Sequence, residues 1–269
     1  MTFSFDLISD LHVETWTQTD WTDQATSPYC VVAGDVARNR DRLLKTLEHL
    51  GRCYLGGVFY VDGNEEHKDY YHDLGASYRD LAKDIDSIPN VVYMQDNVVI
   101  VKGVALLGTN AWWTYDFDPK ISVESSIQSV QDHFGITNSD ATNINGVAFN
   151  DAGYLVNSVR KLQTHNEVSS IVLVTHTVPA PWIIQHDLDL VDTWRFNGMG
   201  NSAIADVFEV DTMHKIHTWC FGHYHKPVDQ QQNGVRYLSN PRGRGNTPWK
   251  QSVYYPKKIE VDILDRFGF

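Results

Sequence analysis

The sequence predicts an α/β fold, on three observations. Short apolar runs of strand length recur along the 269 residues, helical stripes separate several of them, and polar residues able to hold metal follow the runs. The runs are residues 5–9 (FDLIS), 29–34 (YCVVAG), 57–63 (GVFYVDG), 91–94 (VVYM), 98–101 (VVIV), 104–108 (VALLG), 171–175 (IVLVT), 218–222 (TWCFG), 235–239 (VRYLS) and 258–264 (KIEVDIL). Their continuous apolar character suits strands covered on both faces. Residues 95–97 and 102–103 carry turn chemistry around 98–101, which predicts a local antiparallel hairpin and therefore mixed sheets.

Helical stripes come next. Residues 41–50 place Leu43, Leu44, Leu47 and Leu50 on one face, and residues 67–85 do the same with Tyr71, Leu74, Tyr78, Leu81 and Ile85. Residues 152–163 and 202–210 are further helical candidates. Residues 114–148 are polar and fit neither period, so they read as an insertion in one domain spanning 1–269, placed to cap a site.

Composition narrows the function classes. Hydrophobic residues make up 42% of the chain, enough for a large core, and no low-complexity tract argues for disorder. The net charge of −12 disfavours nucleic acid and anionic membranes as partners. One stretch runs against it: Arg236, Arg242, Arg244, Lys250, Lys257 and Lys258 occur between Val235 and Lys258 with no acid among them. It reads as a solvated basic face or as a rim that steers anions. Cys30, Cys53 and Cys220 are odd in number and lack paired spacing, which argues against a disulfide framework or a thiolate zinc site. The first residues lack a basic, apolar leader and no run reaches membrane length, so a cytoplasmic location without membrane partners is expected. Oligomeric state is not legible.

The polar residues after the strands form a series. Asp10 and His12 follow the first as D-x-H, Asp35 follows the second in G-D, and Asn64 follows the third in G-N. His176 follows the run at 171–175, and His223 and His225 follow 218–222 as G-H-Y-H. Ligands collect beyond the carboxyl ends of strands in α/β sheets. Singly, each item is more often a turn or a bonded core edge; as an ordered set they are hard to assign to chance. Two carboxylates, one amide oxygen and four imidazoles suit Mn, Fe, Zn or Ni better than Ca or Mg.

These blocks, from Asp10 to about Arg242, resemble the calcineurin-like metallophosphoesterases, and the segment VRYLSNPRG resembles a bacterial and phage branch of that family. The resemblance implies a four-layer α-β-β-α sandwich with two mixed β-sheets. It also implies two divalent ions, one held by Asp10, His12 and His225 and the other by Asn64, His176 and His223, with Asp35 bridging. Such a pair clamps the oxygens of a phosphoryl displacement and makes hydroxide available near neutrality. The expected activity is phosphoric ester hydrolysis on a phosphorylated small molecule or nucleotide. A nucleotide phosphodiesterase or pyrophosphatase, a nuclease resting on the basic stretch alone, and a metal-binding interaction protein with degraded catalysis are the alternatives.

The family places a histidine directly after the asparagine, to meet phosphate and protonate the leaving group. Here the residues are Gly63-Asn64-Glu65-Glu66-His67. Either His67 takes that role through an altered turn, or Glu65 serves as the acid, or the stretch is only a helix start where acids favour the N-terminus. Substrate contacts are expected from Arg38, just past Asp35; from Asn110, which ends a strand with Trp112 and Trp113 following; and from Trp182, Trp194 and Arg195 in the variable segment after His176. His133, His165, His186, His214 and His217 lack such context and read as surface or supporting residues.

Overall fold

The computed structural model describes residues 2–17, 23–68, 73–136, 139–245 and 253–263. Tyr71 and Lys250 lie outside the described residues. In chain order the elements are β1 (Thr2–Ile8), β2 (Tyr29–Ala33), α1 (Arg40–Cys53), β3 (Gly57–Val61), α2 (Leu74–Ile85), β4 (Val91–Tyr93), β5 (Asn97–Val101), β6 (Val104–Gly108), α3 (Val123–Phe134), α4 (Ala141–Gln163), β7 (Ser170–Val174), α5 (Val207–Val210), β8 (Ile216–Phe221), β9 (Val228–Gln232), β10 (Val235–Ser239) and β11 (Lys257–Asp262).

Two mixed sheets form, in the orders β11-β1-β2-β3-β4 and β5-β6-β7-β8-β10-β9. Strand β11 is antiparallel to β1, and β1 through β4 are parallel. In the second sheet β6, β7, β8 and β10 are parallel, while β5 and β9 run antiparallel at the edges. The hairpin expected around 98–101 is the β5–β6 pair.

Alternation along the strands builds the layers, because successive side chains point to opposite faces. Phe3, Phe5, Leu7, Val31, Ala33, Phe59 and Val61 face Val104, Leu106, Val172, Val174, Cys220 and Leu238 between the sheets. The opposite face of the first sheet sends Ile8, Cys30, Val32, Val58 and Tyr60 against Leu43, Leu47 and Leu50 of α1 and Leu81 and Ile85 of α2. The opposite face of the second sends Ala105, Leu107, Ile171, Leu173, Trp219 and Tyr237 against Leu155, Val159 and Leu162 of α4. The result is the four-layer α-β-β-α sandwich. Each fully buried Leu, Val, Ile or Phe contributes roughly 1.5–3 kcal/mol of transfer free energy.

Three elements differ from the sequence expectation. Helix α2 begins at Leu74, where the Asp73 side chain accepts from Ala76 N–H and caps it. The polar stretch 114–148 contains α3, capped by Ser122, and the first two turns of α4, capped by Asp140. Its apolar residues Tyr115, Val130, Ile144 and Ala148 pack with Trp112, Trp113 and Leu74 as a separate cluster. Strand β9 (VDQQQ) is polar because it is an edge, and its composition hides it.

Candidate metal centre

Every block of the series lies just past a strand end, and the backbone there is unusual. Asp10, His12, Asp35, His223 and His225 all have left-handed φ, at 48°, 42°, 53°, 66° and 59°. Such conformations cost about 1–3 kcal/mol each in non-glycine residues and persist only where surroundings over-determine them. Here Asp10 N–H donates to Gly34 O (2.9 Å) and His12 N–H to Asp35 O (3.1 Å). His223 N–H donates to Asp10 Oδ1 (2.8 Å), which ties the two sheets' strand ends together. The segment after β10 adds support: Arg242 N–H donates to Ser9 O (3.1 Å) and Gly243 N–H to Asp10 O (2.9 Å).

The glycines of the G-D, G-N and G-H blocks are dictated by the same crowding. A Cβ at Gly34 would meet the His176 ring, one at Gly63 would meet Asp35, and one at Gly222 would lie 2.8 Å from Asp10 Oδ2.

The seven residues converge. Asp10, His12, Asp35 and His225 form one group of donor atoms and Asp35, His176 and His223 a second, with Asp35 common to both. His12 Nε2 and His225 Nε2 are 3.0 Å apart, His225 Nε2 and Asp10 Oδ1 3.3 Å, and His12 Nε2 and Asp35 Oδ2 3.7 Å. In the second group His176 Nε2 lies 3.4 Å from Asp35 Oδ1 and 3.3 Å from Asn64 Oδ1.

Backbone carbonyls orient two of the imidazoles. His176 Nδ1–H donates to Ala33 O (3.0 Å), which leaves the Nε2 lone pair facing Asp35 and Asn64. His223 Nε2–H donates to Gly198 O (3.1 Å), leaving Nδ1 for the centre. The His223 ring lies between Trp113, stacked at 5.8 Å, and Phe134 at 4.9 Å.

Electrostatics accords with a divalent-metal site. Burial and His225 depress the His12 imidazole, and burial and His176 depress His223, so both are neutral and offer lone pairs. Burial pushes the Asp35 carboxyl up to about 6, against the pull of His176. Burial also acts to raise Asp10, but hydrogen bonding and charge from His225 outweigh it and hold this carboxyl well below the usual range. Asp10 Oδ2 is buried without a hydrogen-bond partner. A buried acceptor in that state, beside the facing Nε2 atoms of His12 and His225, fits a cation as the missing partner.

The stretch Gly63–His67 resolves into three separate duties. Glu66 turns inward, and its carboxylate accepts from the N–H groups of Gly63 (2.6 Å), Asp35 (3.1 Å), Val36 (2.6 Å) and Ala37 (3.1 Å). It thereby anchors the Asp35 loop to the Asn64 loop. Glu65 faces the cavity: its N–H donates to Asp35 Oδ1 (3.0 Å), and Oε1 accepts from Arg244 Nη2 (2.7 Å) and Lys68 Nζ (3.1 Å).

His67 corrects the sequence expectation. It is fully buried, with Nε2 2.8 Å from Asp62 Oδ2 and Nδ1 2.6 Å from Ser77 Oγ. Tyr78 and Trp112 flank its ring. Both nitrogens are engaged away from the seven donors, so the geometry leaves it no role as the general acid. Asp62, His67 and Ser77 have the residue types of a hydrolytic triad, but all are at most 1% exposed and no substrate can reach the serine.

A cavity of about 480 Å³ opens over Asp35, Asn64, His223 and His225. Of the expected substrate contacts only Arg195 lines it, and Arg195 Nη2 donates to Asp189 O (2.8 Å). Arg38 is exposed outside the lining. Asn110 is buried and supports the site from behind: its Nδ2 donates to Asp62 Oδ2 (2.8 Å), and its carbonyl accepts from His176 N–H (3.0 Å). Trp182 packs edge-on against Tyr237 in the core, and Trp194 packs on His133. The lining also takes Lys68, His133, Tyr224, Lys226 and Arg244, which the sequence reading left without a substrate role. For His133 no sequence signal existed; for Arg244 the acid-free basic stretch was one. The other described cations of that stretch are dispersed: Arg236 and Lys257 bind Asp229, Lys258 binds Glu260, and Arg242 stacks on Trp16.

No family model matches the chain, and no curated protein matches it in sequence. Solved structures do match in fold. Phosphopantetheinyl hydrolase from Mycobacterium tuberculosis superposes with a TM-score of 0.74 at 21% identity, covering 96% of this chain and 95% of that one. A dimetal phosphatase from Danio rerio superposes with a TM-score of 0.56 at 12% identity, covering 97% and 99%. The chain therefore shares its fold with these two structures. Among the described residues, no helix is long and apolar enough to cross a membrane.

Proposed function

We propose that the protein is a dinuclear metal-dependent phosphoesterase acting on a phosphorylated small molecule. The observation that carries this reading is the convergence of seven donors into two groups that share Asp35. When bound, two divalent ions of the Mn, Fe, Zn or Ni class would supply Lewis-acid charge for the phosphoryl oxygens and a water of lowered pKa. Asp10, His12 and His225 would hold one and Asn64, His176 and His223 the other. The chain's own work is positional. Glu66 locks the loops that carry Asp35 and Asn64, Ala33 O and Gly198 O set the imidazole tautomers, and Trp113 and Phe134 wall the centre.

Glu65 stands where the family resemblance puts the acid, but its carboxylate is committed to Arg244 and Lys68 as an acceptor. The site therefore favours leaving groups that depart without a proton. Pairing of Arg236, Lys257 and Lys258 with acids weakens the case for a nuclease, and the intact donor set speaks against an interaction protein with degraded catalysis.

The test is a panel of an aryl monoester, an aryl diester, a nucleotide and a phosphopantetheine ester, offered to Mn-loaded protein. The last member follows from the name of the M. tuberculosis structure. Hydrolysis of at least one, abolished by chelation and restored by Mn, is expected. Inactivity on all four at verified metal loading would contradict the reading.

A further inference from the structure

We propose that the free edge of β5 is an interaction surface for a second copy of this chain, which adds its own β5 in antiparallel register about a two-fold axis.

The sheet edges are the starting point. An unpaired strand edge invites another strand, and proteins blunt it with charge, brevity, proline or a bulge. Strand β11 carries Lys257, Lys258, Glu260 and Asp262. Strand β4 is three residues long. Strand β9 carries Asp229, which binds Arg236 and Lys257, and three glutamines. Strand β5, Asn97-Val98-Val99-Ile100-Val101, has neither charge nor proline, and its register against β6 runs unbroken from Asn97 to Val101. It ends the second sheet, and among the described residues no strand pairs with its outer side. Ile100 is 39% exposed there.

The hairpin fixes which backbone groups face outwards. Lys102 and Gly103 both have left-handed φ, 49° and 82°, as a two-residue type I′ turn requires. Val101 and Val104 are then the closing hydrogen-bonded pair, so Asn97, Val99 and Val101 direct their N–H and C=O groups at β6. Val98 and Ile100 direct theirs outwards. The exposed Asn97 holds Val98 N–H through its own Oδ1 (2.8 Å), and Ile100 N–H has no partner among the described residues.

Self-complementarity names the occupant. With Val99 opposite the partner's Val99, Val98 and Ile100 exchange N–H···O bonds with the partner's Ile100 and the partner's Val98. On the outer face this register covers the exposed Ile100 with the partner's Val98. On the inner face it extends the layer between the sheets, to which Val99 and Val101 belong. It also sets Asp96 opposite the partner's Lys102 and Lys102 opposite the partner's Asp96, two ion pairs from exposed residues. Moving the register by two residues either way removes both. None of residues 97–101 lines the cavity over Asp35, so the surface is distinct from the candidate metal centre.

The test is sedimentation equilibrium of the full chain from about 1 to 200 µM, the range in which a small interface associates. A monomer–dimer equilibrium is expected. Ile100→Lys, at a position already exposed, should weaken it at least about tenfold. Charge reversal reads the register. Lys102→Asp keeps type I′ chemistry beside Gly103. It and Asp96→Lys each place two like-charged pairs across the axis, and each should weaken self-association about tenfold. Mixed in equal amounts, the two variants regain both ion pairs and should associate more tightly than either alone. Hydrogen exchange reads the backbone: Ile100 N–H should exchange more slowly at the top of the concentration range than at the bottom. Circular dichroism checks that each variant is folded; if Asp96→Lys is not, Ile100→Lys and the Ile100 exchange rate decide alone. A wild type that stays monomeric at about 200 µM, a dimer that Ile100→Lys leaves intact, or a mixture no tighter than its folded components would overturn the inference.

Discussion

Adjacent side chains with nearly the same chemistry have opposite fates at residues 65–67. Glu65 faces the cavity, Glu66 is spent on four backbone N–H groups, and His67 is sealed between Asp62 and Ser77. His67→Ala removes the imidazole from a buried carboxylate that, among the described residues, keeps Tyr93 OH and Asn110 Nδ2 as side-chain partners. Breaking a buried pair of this kind costs ~3–5 kcal/mol. Thermal denaturation should therefore show a clear loss of stability, while the ratio of alkyl to aryl ester turnover stays as in the wild type. A selective collapse of alkyl ester hydrolysis would restore His67 as the acid. The sequence could not separate these fates. An offset of one or two residues decides whether a side chain faces a cavity or a core, and the turn type after Asn64 sets that offset.

At the scale of elements, strand ends do the positioning and glycines permit it. Gly63→Ala would drive a Cβ into Asp35 and within 2.8 Å of His176 Cε1, so metal content should fall sharply even where the fold survives. Gly146 and Gly153, inside α4, have nothing within 4 Å of an added Cβ. Alanine at either should raise stability by ~0.4–1 kcal/mol, visible in the urea midpoint. The reverse pattern would show that helix α4 or the Gly63 turn is wrongly understood. These contrasts explain what was legible. The buried strands β1, β2, β3, β7 and β8 announce themselves by unbroken apolar runs, and each ligand block follows one of them. Strand β9 and the start of α4 do not, because an edge strand and a solvated helical turn are polar by necessity. The cavity walls were the least legible part. Lys68, His133, Arg195 and Arg244 come from four distant segments, and only tertiary packing makes them neighbours.

At the scale of the whole molecule, two sheets bring their carboxyl ends together, and the cavity over them is lined by both cations and acids, Lys68, Arg195, Lys226 and Arg244 beside Asp35, Glu65, Asp187 and Asp189. The Asp10 and Asp35 loops come from the first sheet, and His176, His223 and His225 from the second. Asp10 bonds the backbone of His223, and His176 bonds that of Ala33, so the centre is also a seam. The central claim is that this seam holds two metal ions through one shared carboxylate. Elemental analysis of Mn-loaded, desalted protein tests it most directly, with Asp35→Asn alongside. The account predicts about two ions per wild-type chain and well under one in the variant. A wild-type chain that retains no metal across Mn, Fe, Zn and Ni, or a variant that retains as much as the wild type, would contradict it.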